Sequence, residues 1–259
     1  NNIGFFATYR SFPEQKNTLA SVDGRIKLNA KTTTTFQLVG THSKRCFFET
    51  AFDANADPTQ AQRNREICGG GTFGGVTQLG SPFNQYRVGN GVGYYANLDY
   101  STDRHGYFFE AGGQSKDYRA DAGFPRRTNT NFAFAFNRFS TKSDAKASII
   151  RASWALFSGI DYDWSGRLQR FRAGTNVNLS LQRNTYVFIE SAIVYDKLYE
   201  EEFGLKRLPT RPQGTFIGDP TRATWQQIFS GNINQTPHKR FNYGMFLGFI
   251  NNAFDFDFG

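Results

Sequence analysis

Over residues 171–182, apolar and polar side chains alternate: Val177, Leu179 and Leu181 fall on one face of an extended strand, and Asn176, Asn178, Ser180 and Gln182 on the other. This follows from a strand's side-chain period of two. A similar rhythm, rich in aromatic residues, recurs over 3–11, 18–28, 33–41, 86–102, 106–115, 129–139, 148–160, 168–182, 185–195, 222–234 and 240–250. The pattern predicts about eleven strands at the spacing of a meander rather than of βαβ units. No segment carries a convincing helical period over three turns; 58–66 comes nearest.

The connections sort by length. Those at 29–31, 103–105, 183–184 and 236–239 are tight, while 43–83, 116–128 and 196–220 are long; the short 13–17 is the exception on the long side. Outer-membrane barrels have short periplasmic turns, longer extracellular loops and, in bacterial single chains, an even strand number. The expected fold is therefore all-β, an antiparallel transmembrane β-barrel in the bacterial outer membrane, with residues 1–259 as one barrel domain. Eleven is odd, and the alternating aromatic run 254–259 stops at Gly259. The chain is thus read as part of a longer protein of about 12–16 strands. Val177, Leu179 and Leu181 are expected to face lipid, and Asn176, Asn178 and Ser180 the interior.

Composition sharpens this picture. Aromatic residues make up 17% of the chain, with 28 Phe and 12 Tyr against one Met and three Trp, an excess suited to a β protein with exposed aromatic surface. A mean hydropathy of −0.54 does not argue against a barrel, since half of each spanning strand is polar. No apolar run reaches the ~18 residues of a membrane-spanning helix. The net charge of +8 suits phosphate-bearing partners, with outer-membrane lipid and lipopolysaccharide expected. Nucleic acid is not, because the basic residues are scattered and no recognition helix accompanies them.

Cys46 and Cys68 form an even pair in a chain that reads as exported, and a disulfide between them is expected. The string Gly123-Phe124-Pro125-Arg126-Arg127-Thr128 follows Asp117-Tyr118-Arg119-Ala120-Asp121-Ala122. Gly123 and Pro125 set a turn, Phe124 packs it down, and the two guanidinium groups suit phosphate or carboxylate. Tyr118, Phe124, Arg126 and Arg127 are the candidate ligand-binding residues of this loop. Pairing of the arginines with Asp117 and Asp121 accounts for them without a ligand. With Tyr118, Gly123, Phe124, Arg127 and Thr128 in place, and with Gly214-Thr215-Phe216-Ile217-Gly218-Asp219 and the 254–259 ending, the chain from about Ala20 onward resembles the barrel portion of the outer-membrane family called domain of unknown function 5916 (DUF5916). Members often carry an N-terminal family-9-like carbohydrate-binding domain, absent here. The resemblance implies a barrel and no established activity.

Asp53, Asn55 and Asp57 have the spacing of a calcium loop, but Pro58 stands where Gly is needed and Asn64 where a bidentate acid belongs. A solvated acidic loop is the simpler account, and calcium the only cofactor the sequence suggests. The histidines are His42, His105 and His238. His42-Ser43 faintly resembles the pair of outer-membrane phospholipases without the Asn-Gly that follows it there. Tyr94-Tyr95, Tyr107-Phe108-Phe109 and Trp154 suit a barrel's aromatic girdle better than a sugar platform. The expected role is non-catalytic: structural, porin-like or linked to surface glycan and other envelope proteins. The alternatives are a soluble all-β carbohydrate-binding module and a barrel lipid hydrolase.

Overall fold

The structure is a computed structural model describing residues 1–48, 59, 67–68, 72–73, 76–77, 84–120, 127–199, 221–238 and 240–253. Its strands are β1 (Asn2–Phe12), β2 (Gln15–Lys27), β3 (Thr32–Phe48), β4 (Thr72–Phe73), β5 (Val76–Thr77), β6 (Asn84–Ser101) and β7 (His105–Gln114). They continue as β8 (Thr130–Ser140), β9 (Ile149–Tyr162), β10 (Leu168–Leu181), β11 (Thr185–Tyr199), β12 (Thr221–His238) and β13 (Phe241–Asn251). Apart from the two-residue strands β4 and β5, which pair with each other, all of them form one 11-stranded antiparallel meander in the order β1-β2-β3-β6-β7-β8-β9-β10-β11-β12-β13. The fold is all-β and antiparallel, as the alternation predicts.

The sheet is open. Among the described residues β1 pairs only with β2 and β13 only with β12, in keeping with the odd strand number read from the sequence. The physical reason is directional: in a meander of eleven antiparallel strands the first and last run the same way, so no antiparallel ladder can join them directly.

Local chemistry sets the hairpins. Arg183 and Asn184 both have positive φ (60° and 51°) within the three-residue connection between the paired Leu181 and Thr185, and so reverse the chain tightly. Pro13 followed by Glu14 at φ 61° makes a tight turn with Pro in its favoured first central position. Asp163 builds the β9–β10 turn: its Oδ1 accepts the amides of Ser165 (2.9 Å) and Arg167 (2.8 Å), and its Oδ2 accepts Arg167 Nε at 2.5 Å. Burial alone would push this carboxyl up, but these hydrogen bonds and the Arg167 charge outweigh it and hold Asp163 below the usual carboxylate range.

β3 runs seven residues beyond the expected end at Thr41, and β11 and β12 each run four beyond theirs. Past Thr41 both faces turn polar over His42-Ser43-Lys44-Arg45, so the apolar alternation stops while the ladder with β6 continues to Phe48↔Asn84. All connections after β1, β3, β7, β9 and β11 leave one end of the sheet, and the long ones are among them.

Candidate functional surfaces

Register divides the sheet into two faces, one mostly apolar and one that gathers most of the charge, although on β7 and β8 the second also carries Phe108, Phe132, Phe134 and Phe136. Residues directly opposite in a ladder share a face, so one face carries Leu156, Thr175, Val177, Leu179, Ile189, Phe229 and Leu247 across β9 to β13. Val177, Leu179 and Leu181 do lie together, opposite to Asn176, Asn178 and Ser180. This apolar face is the exposed one: Ile193 is 47% exposed, while Val194 beside it on the polar face is at 0%. In an ordinary water-soluble sheet the buried face is the apolar one. Among the described strand residues, three charged side chains fall on the apolar face, Lys16, Lys44 and Lys197, and all three sit toward the long-connection end.

Aromatic rings border this face in two rows. Toward the tight turns, Tyr100 stacks on Tyr107 (centroids 4.9 Å apart), His105 on Phe139 (5.0 Å) and Phe139 on Trp154 (6.1 Å). Toward the other end Tyr94 meets Trp164 (6.5 Å), and Trp225 meets Tyr195 (5.0 Å) and Phe171 (6.5 Å). Along β9 the rows are marked by Trp154 and Tyr162; that interval spans about 26 Å at the usual strand rise. Of the residues read as girdle candidates, Tyr94, Tyr107 and Phe109 lie on the apolar face, and Tyr95 and Phe108 on the polar one. Between the rows, a groove of about 700 Å³ crosses β7 to β11 where Ala135, Ser158, Ala173 and Ser191 are small.

The polar face carries the ion pairs. Arg170 Nε lies 3.3 Å from Asp196 Oδ1, without a well-aligned hydrogen bond, and Gln226 Nε2 donates to Asp196 Oδ2 (3.0 Å). Arg172 Nη2 donates to Glu190 Oε1 (3.5 Å) and its guanidinium stacks on Phe157 (4.6 Å). Gln169, fully buried, accepts Thr130 Oγ1 (2.8 Å) and donates to the Asn129 carbonyl (3.0 Å).

On β2, β3 and β6 the segment 115–120 folds back over the polar face as a strap. Asp117 accepts both terminal nitrogens of Arg87 (2.6 and 2.9 Å), a bidentate geometry that adds orientation as well as energy. The Arg119 amide donates to Thr41 Oγ1 (3.3 Å), and Asn17 Nδ2 donates to the Arg119 carbonyl (3.2 Å) and to Ser43 Oγ (2.6 Å). Tyr118 packs with Leu19 and Val39 over the glycines of β6: a Cβ at Gly91 would lie 2.3 Å from Tyr118 Cα, and one at Gly93 2.8 Å from its ring. Desolvation in this niche pushes the Tyr118 phenol up. Arg87 and Arg119 lie over the ring of buried Phe47, at 4.4 and 5.2 Å.

Cys46 and Cys68 are disulfide-bonded, with Cα atoms 5.8 Å apart. Of the candidate ligand loop, Tyr118 is buried as a packing residue, and Arg127 lies near enough to Asp161 for their charges to interact. Asp117 is held by Arg87 from the sheet. Phe124 and Arg126, with Asp121, lie outside the described residues, as do Asp53, Asn55 and Asp57 of the calcium spacing. His42 and Ser43 point to opposite faces, His42 Nδ1 meeting Asn90 Oδ1 (2.7 Å) and Ser43 accepting from Asn17, so they form no dyad. The strap's seat was missed, although Arg87-Val88-Gly89-Asn90-Gly91-Val92-Gly93 carries its signal: a strand with glycine at every second position marks a close approach by other backbone.

No family model matches the chain, and no curated protein matches it.

Proposed function

We propose that this chain forms the wall of an outer-membrane β-barrel, with its apolar face toward lipid and its polar face lining the interior. In this reading the long connections face outward from the cell, and further strands paired to the free edges of β1 and β13 complete the ring. The role is structural or pore-forming, with no catalysis by the chain; an association with surface glycan belongs to the same reading through the DUF5916 resemblance. The observation that carries it is the inverted burial: the apolar face is exposed and bordered by two aromatic rows, while the charges are gathered on the face that is tucked in. A spanning strand needs about 9–11 residues and an outward apolar band about 25 Å tall between aromatic girdles. The Trp154-to-Tyr162 interval has that length.

The test is extraction and heat-modifiability. The protein should leave bacterial membranes only with detergent and migrate differently on a gel before and after boiling. Leu179→Arg should cost about 2–4 kcal/mol if Leu179 meets the bilayer near its midplane. Release by salt alone, with Leu179→Arg as stable as the wild type, would favour a soluble sheet.

A further inference from the structure

The apolar face changes character where β2, β3 and β6 approach the long connections. One rung reads Thr18, His42 and Asn90, and the next outward reads Lys16, Lys44 and Val88. Inward, beginning with Ala20, Gly40 and Val92, the rungs turn apolar. Lys16 and Lys44 stand directly opposite each other, an arrangement of like charges that destabilises an antiparallel pair. Neither forms an ion pair with a described residue. Lys44 Nζ rests 5.3 Å from the centre of the Tyr86 ring, and the Tyr86 hydroxyl donates to Glu14 Oε2 (3.3 Å). The two lysines, Thr18, His42 and Asn90 are all exposed. Just inward, a side chain at Gly40 would meet nothing within 4 Å, so the polar patch opens onto a dip in the apolar surface.

We infer that this patch binds the phosphate headgroup of a membrane lipid, an inference that rests on the membrane reading above. Lys16 and Lys44 hold the phosphate, whose charge relieves their repulsion. Thr18, His42 and Asn90 offer hydrogen bonds to the rest of the headgroup, and an acyl chain runs over Gly40 and Val92 along the apolar rungs. The continuity of cationic, polar and apolar rungs on one face matches an amphiphile rather than a free anion. Lys197, the third charged residue of this face, lies toward the same end, as expected if that end meets the phosphate-rich layer of a leaflet.

The test uses the full chain in phosphatidylcholine nanodiscs, with phosphatidic acid titrated in and lipid retention read by native mass spectrometry. A lysine near an anionic surface is worth roughly a five-fold gain in binding, and the pair roughly thirty-fold. Phosphatidic acid should bind the wild type tighter than phosphatidylcholine by about that pair factor. The Lys16→Gln/Lys44→Gln double variant should lose the preference, Lys142→Gln at the opposite end should keep it, and millimolar inorganic phosphate should not compete. Failure to insert into phosphatidylcholine nanodiscs would overturn the membrane reading and this site with it. Insertion without a preference, a preference surviving in the double variant, or competition by inorganic phosphate would overturn the site alone.

Discussion

On β2, β3 and β6 the polar face is covered by another piece of the chain, the strap at 115–120, whereas on β9 to β12 it is covered by its own side chains. Both halves carry glycines whose missing side chains leave room. Over Gly91 that room takes the backbone of Tyr118; over Gly174 it takes the ring of Phe157, which would lie 2.5 Å from a Cβ. The first half joins residues far apart in sequence, through Asn17 to Arg119 and Arg87 to Asp117. The second joins neighbours on adjacent strands, through Arg172 to Glu190 and Arg170 to Asp196. A face lined by glycine can dock chain, and a face lined by long charged side chains fills itself.

The difference between the two halves rests most directly on Gly91. In Gly91→Val the new side chain meets the Tyr118 backbone and Thr41 Oγ1, at 2.3 and 2.6 Å from its Cβ. The strap must leave, at a cost of roughly 3 kcal/mol. Trypsin should then cut after Lys116 and Arg119 at least about ten-fold faster than in the wild type; unchanged cleavage would mean that the strap is not held by this niche.

Asp117→Asn is the next largest. It keeps the shape but removes the charge from the bidentate pair, and should loosen the strap by roughly 2 kcal/mol. The same digestion reads it, with an effect between those of the wild type and Gly91→Val.

Glu190→Gln is the counterpart in the second half. The Arg172 contact is long at 3.5 Å, and the arginine side chain is 38% exposed, so screening leaves under about 1 kcal/mol. Denaturant unfolding should place this variant close to wild type. A loss as large as that of Asp117→Asn would make the two halves alike.

The smallest effect is at the β9–β10 turn. Because Asp163 titrates below its ordinary value when folded, its contribution is complete above about pH 4 and lost as pH falls through the folded pKa. Amide protection at Ser165 and Arg167, corrected for intrinsic exchange, should be flat from neutral to about pH 4 and decline below it. Asp163→Asn should remove that dependence.

The strands were legible because alternation is a local signal, and Val177, Leu179 and Leu181 carry it without interruption. Their ends were less so: just past Thr41 and Tyr195, at His42-Ser43 and Asp196-Lys197, polar side chains fall on both faces, and pairing with a neighbour carries the strand on. The disulfide could be read from Cys46 and Cys68 because the chain offers no other cysteine. The strap could not, because Asp117 has a nearer choice of partners in sequence, Arg126 and Arg127, than the Arg87 that holds it. Glycine spacing at 89, 91 and 93 was the available signal, and it says only that something approaches, not what.

The shared direction of β1 and β13 decides who can fill the gap between them. A second copy inserted the same way into a membrane presents its own first strand running parallel to β13, so two copies cannot form an antiparallel ring. If the ring proposed above is to close, only an odd number of strands, beginning and ending opposite to β1, fits the opening. In water, where no bilayer fixes orientation, one copy can turn over and lay its β13 against another's. The isolated sheet is therefore prone to pair edge to edge in solution, and on the reading proposed above the membrane, by holding every copy upright, would act as its chaperone.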